Sequence, residues 1–162
     1  MIILGIDPGT TTIGYCIVKK NKSKIELLDY GIFKTTPKIG LEYKILEIGK
    51  DIDYIIEKYN PELLSIEKLF FQTNTKTAID VAQARGVIIY EAIKKGLKIK
   101  EYTPLQVKKA ITGNGNANKT QLQNAIKILF GLDNIPKPDD AADAIGLAYI
   151  GALNSNLINN GF

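Results

Sequence analysis

At 162 residues, with 45% hydrophobic and 23% charged residues, the chain has the size and composition of one globular domain with its own core. A formal net charge of +4 mildly favours an anionic partner, but Arg85 is the only arginine among 21 basic residues. Bidentate reading of guanine edges is therefore an unpromising mode of recognition, and lysine–phosphate contacts are the natural alternative. The lone cysteine, Cys16, excludes a disulfide framework within the chain. No apolar run approaches membrane-spanning length and no signal-peptide pattern opens the sequence, so the expectation is a cytoplasmic protein without a membrane partner.

In chain order, a first strand is expected over Ile2–Asp7, followed by a Pro8-Gly9-Thr10 turn and a second strand over Thr12–Lys19. The polar segment Lys20-Asn21-Lys22-Ser23 reads as a hairpin turn into a third strand, Ile25–Lys34. Leu41, Ile45, Ile48, Ile52, Ile55 and Ile56 form one helical stripe, which predicts a helix over 41–59 that stops at Asn60-Pro61. A fourth strand, Leu63–Glu67, leads to a helix over 75–95 ended by Gly96, and a fifth strand covers Lys98–Tyr102. Thr103-Pro104 starts a short helix to Ile111, and a Gly/Asn loop follows over 113–117. Asn118 and Gln121 have the spacing of a capping box for a helix over 119–130. The last helix runs over 139–153, and the Asn-rich tail 154–162 is expected to fray.

Three meandering strands followed by strand–helix alternation predict an α/β fold: a mixed five-stranded sheet, three strands antiparallel and then two parallel, with helices on both faces. The first strand is expected at the centre with the fourth parallel beside it, in a single domain over 1–153.

Acids end three of the apolar elements. Asp7 closes Ile2–Ile6, Glu67 closes Leu63–Ile66, and Asp140 with Asp143 opens the run Ala144–Ile150. Burying a carboxylate is costly unless it is paired or holds a metal. Ligands of such sheets collect at the carboxyl ends of strands, where Asp7 and Glu67 stand. Asp140 and Asp143, three residues apart, share a helical face. Taken singly, each acid reads more readily as a turn or a helix-terminus residue. Together, with no histidine in the chain, they form a hard-oxygen set for Mg²⁺, with Mn²⁺ as a substitute, and two ions per site suit hydrolysis at phosphorus. Asp139 aligns with Asp143 equally well, so spacing leaves Asp139 and Asp140 as alternatives.

Gly5-Ile6-Asp7-Pro8-Gly9, Ser65–Phe71, Ala82-Gln83-Ala84-Arg85-Gly86, Glu101–Lys109 and Asp140-Ala141-Ala142-Asp143-Ala144 occur in one order across nearly the whole chain. As an ordered set they resemble the RuvC family of four-way (Holliday) junction endonucleases, within the RNase H-like superfamily. The resemblance implies that Asp7, Glu67, Asp140 and Asp143 are the metal-binding catalytic acids, and it selects Asp140 over Asp139. It further implies a homodimer that nicks two strands of like polarity symmetrically in recombination and repair, and RuvA and RuvB as a branch-migration motor. Phe70 resembles the family's junction-stacking aromatic, and Lys108 and Lys119 resemble its basic residues near the scissile phosphate. The residues support a dimer independently, because the helix over 75–95 carries too many apolar side chains for one stripe and needs burial on two sides; deep burial within one copy is the alternative, harder in a chain this small.

Three rivals are weaker. An actin-like or sugar-kinase ATPase shares the Asp7–Gly14 hairpin but needs a second domain that the chain is too short to supply. An RNase H-like nuclease acting on RNA fits Phe70-Phe71 and Gln83–Gly86 less well. A non-catalytic binder of branched DNA gains nothing from clustered acids facing phosphate.

Overall fold

The computed structural model describes residues 1–69 and 75–156. Its elements, in chain order, are β1 (Ile2–Asp7), β2 (Thr12–Asn21), β3 (Lys24–Lys34), α1 (Leu41–Tyr59), β4 (Leu63–Glu67), α2 (Thr75–Lys94), β5 (Lys98–Tyr102), α3 (Pro104–Thr112), α4 (Lys119–Phe130) and α5 (Asp139–Leu153). The sheet order is β3-β2-β1-β4-β5, so β1 is central. It pairs antiparallel with β2 and parallel with β4, and β5 continues the parallel half. This is the expected mixed sheet.

The hairpin between β2 and β3 is tighter than the sequence reading. Lys20 and Asn21 stay in the strand, and the turn is Lys22-Ser23 alone, with Lys22 at φ 55°. Charged residues on an exposed ribbon are compatible with pairing, because a strand end needs partners for its backbone rather than burial of its side chains.

Alternation along the strands sends successive side chains to opposite layers. Leu4, Ile6, Ile13, Ile17, Leu64 and Ile66 meet Ile48, Ile52, Ile55 and Ile88 on the α1–α2 side. Ile3, Cys16, Val18 and Leu63 meet Leu122, Ile126, Ala144, Ile145 and Ala148 on the α4–α5 side. Asn60 ends α1 in the left-handed region at φ 48°, just before Pro61.

α5 lies directly against the sheet. A Cβ on Gly5 would collide with the Ala144 carbonyl and with Ala148, and one on Gly14 would strike the Asp140 carbonyl. Ser65 Oγ donates to the Leu147 carbonyl at 2.5 Å, fixing the helix along its own axis. At the far end Lys20 Nζ donates to Ala152 O (2.8 Å), Ser155 Oγ (3.1 Å) and Asn156 Oδ1 (3.2 Å). A cation at a helix C-terminus answers both its free carbonyls and its dipole. Of the tail expected to fray, Ser155 and Asn156 take part in these contacts, and residues 157–162 lie outside the described residues.

Gly5→Ala is expected to destabilise the fold by about 1–3 kcal/mol, since neither backbone can retreat without opening the α5 layer. Urea unfolding should show a lower midpoint with an unchanged slope.

Candidate active site

The period of two that sorts the core also aims the acids. Ile3, Gly5 and Asp7 of β1 face α5, as do Leu63, Ser65 and Glu67 of β4. The parallel register pairs Gly5 with Ser65 and Ile6 with Ile66, which places Asp7 and Glu67 side by side one residue further on. From above, α5 delivers Asp140 beside Gly14, and Gly14 is the antiparallel partner of Asp7. Asp143, one turn along the same helix, lines a cleft of about 240 Å³ together with Glu67, Lys108, Lys119, Pro104, Val107, Leu122 and Leu147. The structure thus gathers Asp7, Glu67, Asp140 and Asp143 at one end of the sheet.

Electrostatics tie the acids together. The Asp7 carboxyl is pushed up from 3.8 to about 8, first by burial, then by the charges of Glu67, Asp143 and Asp140, against a smaller lowering by Lys119. Burial and then Asp143 raise Glu67. Burial also raises Asp143; Lys119 and Lys108 pull it down while Asp140 and Asp139 push it up. Among the described residues no side chain donates a hydrogen bond to these four carboxylates, and no three acids close into one coordination sphere. An open rim is the arrangement mutual repulsion favours. All-oxygen, with Asp7, Glu67 and Asp143 desolvated by burial, the set has the donor chemistry that hard divalent cations take.

Asp139 separates from Asp140 in this geometry. Its Oδ2 accepts from Lys119 Nζ at 2.6 Å and its Oδ1 from Gln123 Nε2 at 2.8 Å, facing α4 rather than the other acids. Of the two adjacent lysines on α3, Lys108 lines the cleft, whereas Lys109 is exposed. Val107 brings α3 against Gly146 of α5, which sets Lys108 beside the acids. Thr103 and Gln106 cap α3 reciprocally, and Asn118 and Gln121 do the same for α4. The first box follows the Thr-x-x-Gln signature of Thr103–Gln106. Phe70 lies outside the described residues.

Arg85 was readable in the sequence only as part of a motif. Its Nε donates to the Glu67 carbonyl at 3.1 Å and its Nη2 to Glu101 Oε1 at 2.5 Å. It clamps the end of β4 between α2 and β5. Its being the sole arginine was a signal, since a planar fork suits two acceptors at fixed angles.

A mixed sheet with this strand order, acids ending its two central parallel strands, and an acidic pair on the helix crossing them define an RNase H-like protein. The family model described as crossover junction endodeoxyribonuclease RuvC matches residues 3–150. The crossover junction endodeoxyribonuclease RuvC of Halothermothrix orenii is 48% identical over 148 residues, covering 91% of this chain and 90% of the relative. That of Alkaliphilus metalliredigens is 49% identical over 148 residues, with the same coverage. The structure of Thermus thermophilus RuvC superposes with a TM-score of 0.86 at 29% identity, covering 97% of this chain and 96% of that one. T. thermophilus RuvC in complex with Holliday junction substrate gives the same TM-score and coverage at 26% identity. The chain belongs to the RuvC family.

The raised Asp7 carboxyl has a consequence for stability. Between about pH 4 and pH 8 the folded chain keeps a proton there that the unfolded chain has released, so metal-free stability falls as pH rises through that window. Asp7→Asn is expected to remove that loss. In EDTA the variant should be more stable than the parent at pH 8, by on the order of a few kcal/mol, with the gap vanishing near pH 4. Thermal melting across pH measures it.

Proposed function

We propose that this protein is a divalent-cation-dependent endonuclease that resolves four-way DNA junctions, with Asp7, Glu67, Asp140 and Asp143 holding two Mg²⁺ or Mn²⁺ ions. The observation that carries the proposal is the convergence of three desolvated carboxylates, Asp7, Glu67 and Asp143, with Asp140 close by, beside a lysine-lined cleft. Membership of the RuvC family and likeness to a relative solved with Holliday junction substrate support the choice of substrate. When bound, such ions activate a water and stabilise the leaving 3′ oxygen.

The chain's own residues then have distinct tasks. Burial of Asp7 and Glu67 keeps their lone pairs free of water, and Arg85 fixes the backbone from which Glu67 projects. Lys108 and Lys119 stand at the cleft where phosphate oxygens would arrive, offsetting the repulsion between acids and DNA. Val107, Leu122 and Leu147 give the cleft an apolar lining. Phe70, three residues beyond Glu67, has the role of stacking on an unpaired base at the junction.

A second copy completes the particle. Ile79, Gln83, Gly86, Tyr90 and Ile93 make an exposed stripe along α2, on the side opposite the buried Ala84, Ile88 and Ala92. Glycine inside a helix costs about 1 kcal/mol relative to alanine. A Cβ on Gly86 would meet nothing within 4 Å, so the fold of one copy does not require it. Close approach of the same helix from a two-fold mate does, and an isologous contact presents two identical acid sites to a substrate of near two-fold symmetry.

With a synthetic four-way junction, paired symmetric nicks should appear with Mg²⁺ or Mn²⁺ and not with EDTA; failure to cut junctions under any divalent metal would sink the proposal. Asp7→Asn should bind the junction normally yet lose cutting by at least about a hundredfold. Mg²⁺ should raise the melting temperature of the parent at pH 8 and raise that of Asp7→Asn much less. For the dimer, Ile93→Asp should sediment as a monomer and give unpaired nicks at best. An Ile93→Asp protein that sediments as a dimer would remove α2 as the contact.

A further inference from the structure

Asp139 is the first residue of α5, where an aspartate ordinarily answers the helix dipole or caps free amides. Here both of its oxygens are directed across to α4: one accepts from Lys119 and the other from Gln123. Those donors are the first residue of α4 and the one four positions on, so they share a helical face, and the Asn118–Gln121 capping box fixes the turn between them. The ion pair is exposed, with side-chain accessibilities of 71% for Lys119 and 51% for Asp139. Such a pair adds little to stability and is easily exchanged for another anion. Yet it holds the ammonium where its charge reaches both Asp7 and Asp143. A lysine with four rotatable carbons would otherwise sweep a wide volume of solvent at the cleft mouth.

Building on the phosphate-binding role given to Lys119 above, we propose that Asp139 is a positioning residue: backed by Gln123, it holds the Lys119 ammonium at the mouth of the acid cleft and yields it to the scissile phosphate when the junction docks. The contribution is one of orientation. It should therefore appear in the cutting step and not in junction affinity, because Asp139 itself turns a negative charge toward DNA.

The test compares Asp139→Ala, Lys119→Met, the double variant and Asp139→Glu in two measurements: cleavage rate with the junction saturated by protein in Mg²⁺, and junction affinity in EDTA. Asp139→Ala should cut about three- to tenfold more slowly while binding as tightly as the parent or tighter. The double variant should be no slower than Lys119→Met, since Asp139 acts only through that lysine, and Asp139→Glu should recover most of the rate. Wild-type cutting by Asp139→Ala, or a double variant whose loss is the product of the single losses, would overturn the proposal while leaving the role of Lys119 intact. Wild-type cutting by Lys119→Met would remove that role and the positioning role with it.

Discussion

Everything at the acidic end of the sheet depends on how closely the backbone of α5 approaches it. A helix normally stands off the sheet it covers by a layer of interleaved side chains. At Gly5 and Gly14 there is no side chain to keep α5 away, and Ser65 reaches the helix backbone directly. The first turn of α5 is thereby lowered onto the ends of β1 and β4. With ordinary apolar residues at those positions, Asp140 and Asp143 would sit a layer too high to share a field with Asp7 and Glu67.

That closeness sets a conflict between folding and function. The interactions that make the core rigid also desolvate like charges and hold them together, and the Asp7 carboxyl resolves the conflict near neutral pH by retaining its proton. A site of this kind is stable protonated or with a cation, and strained when fully ionised and empty-handed. The two lysines relieve part of the strain without closing the site, because both approach from α3 and α4 across the cleft instead of inserting among the acids.

Much of this was legible in the chain because it rests on local pattern. Apolar alternation fixed the strands, the 41–56 stripe fixed α1, and Asn118 with Gln121 announced α4. The adjacency of Asp7 and Glu67 followed from their place at the ends of parallel strands. What sequence could not supply were partners set by the third dimension: the Ser65 bond to Leu147, the Arg85 clamp and the capture of Asp139 by α4. Spacing left Asp139 and Asp140 equivalent because both are compatible with Asp143 on one helix face; the resemblance chose Asp140, and the position of α4 accounts for where Asp139 goes instead. Lys20 shows the same limit. Its charge and its neighbours read as a turn, and its actual role is set by a helix end 132 residues away.

α5 is therefore a strut fixed at both ends, by Lys20 at its C-terminus and by the glycine floor beneath its N-terminus. Each residue of an α-helix advances it by about 1.5 Å and turns it by about 100°. Adding or deleting a single residue between Asp143 and Leu147 would leave Leu147 on its Ser65 anchor and swing both acids off the sheet. The loops that precede α4 and α5 have no such phase to keep. Length variation should accordingly be tolerated in those loops and forbidden within this helix, a spatial rule for insertions that follows from its docking rather than from its composition.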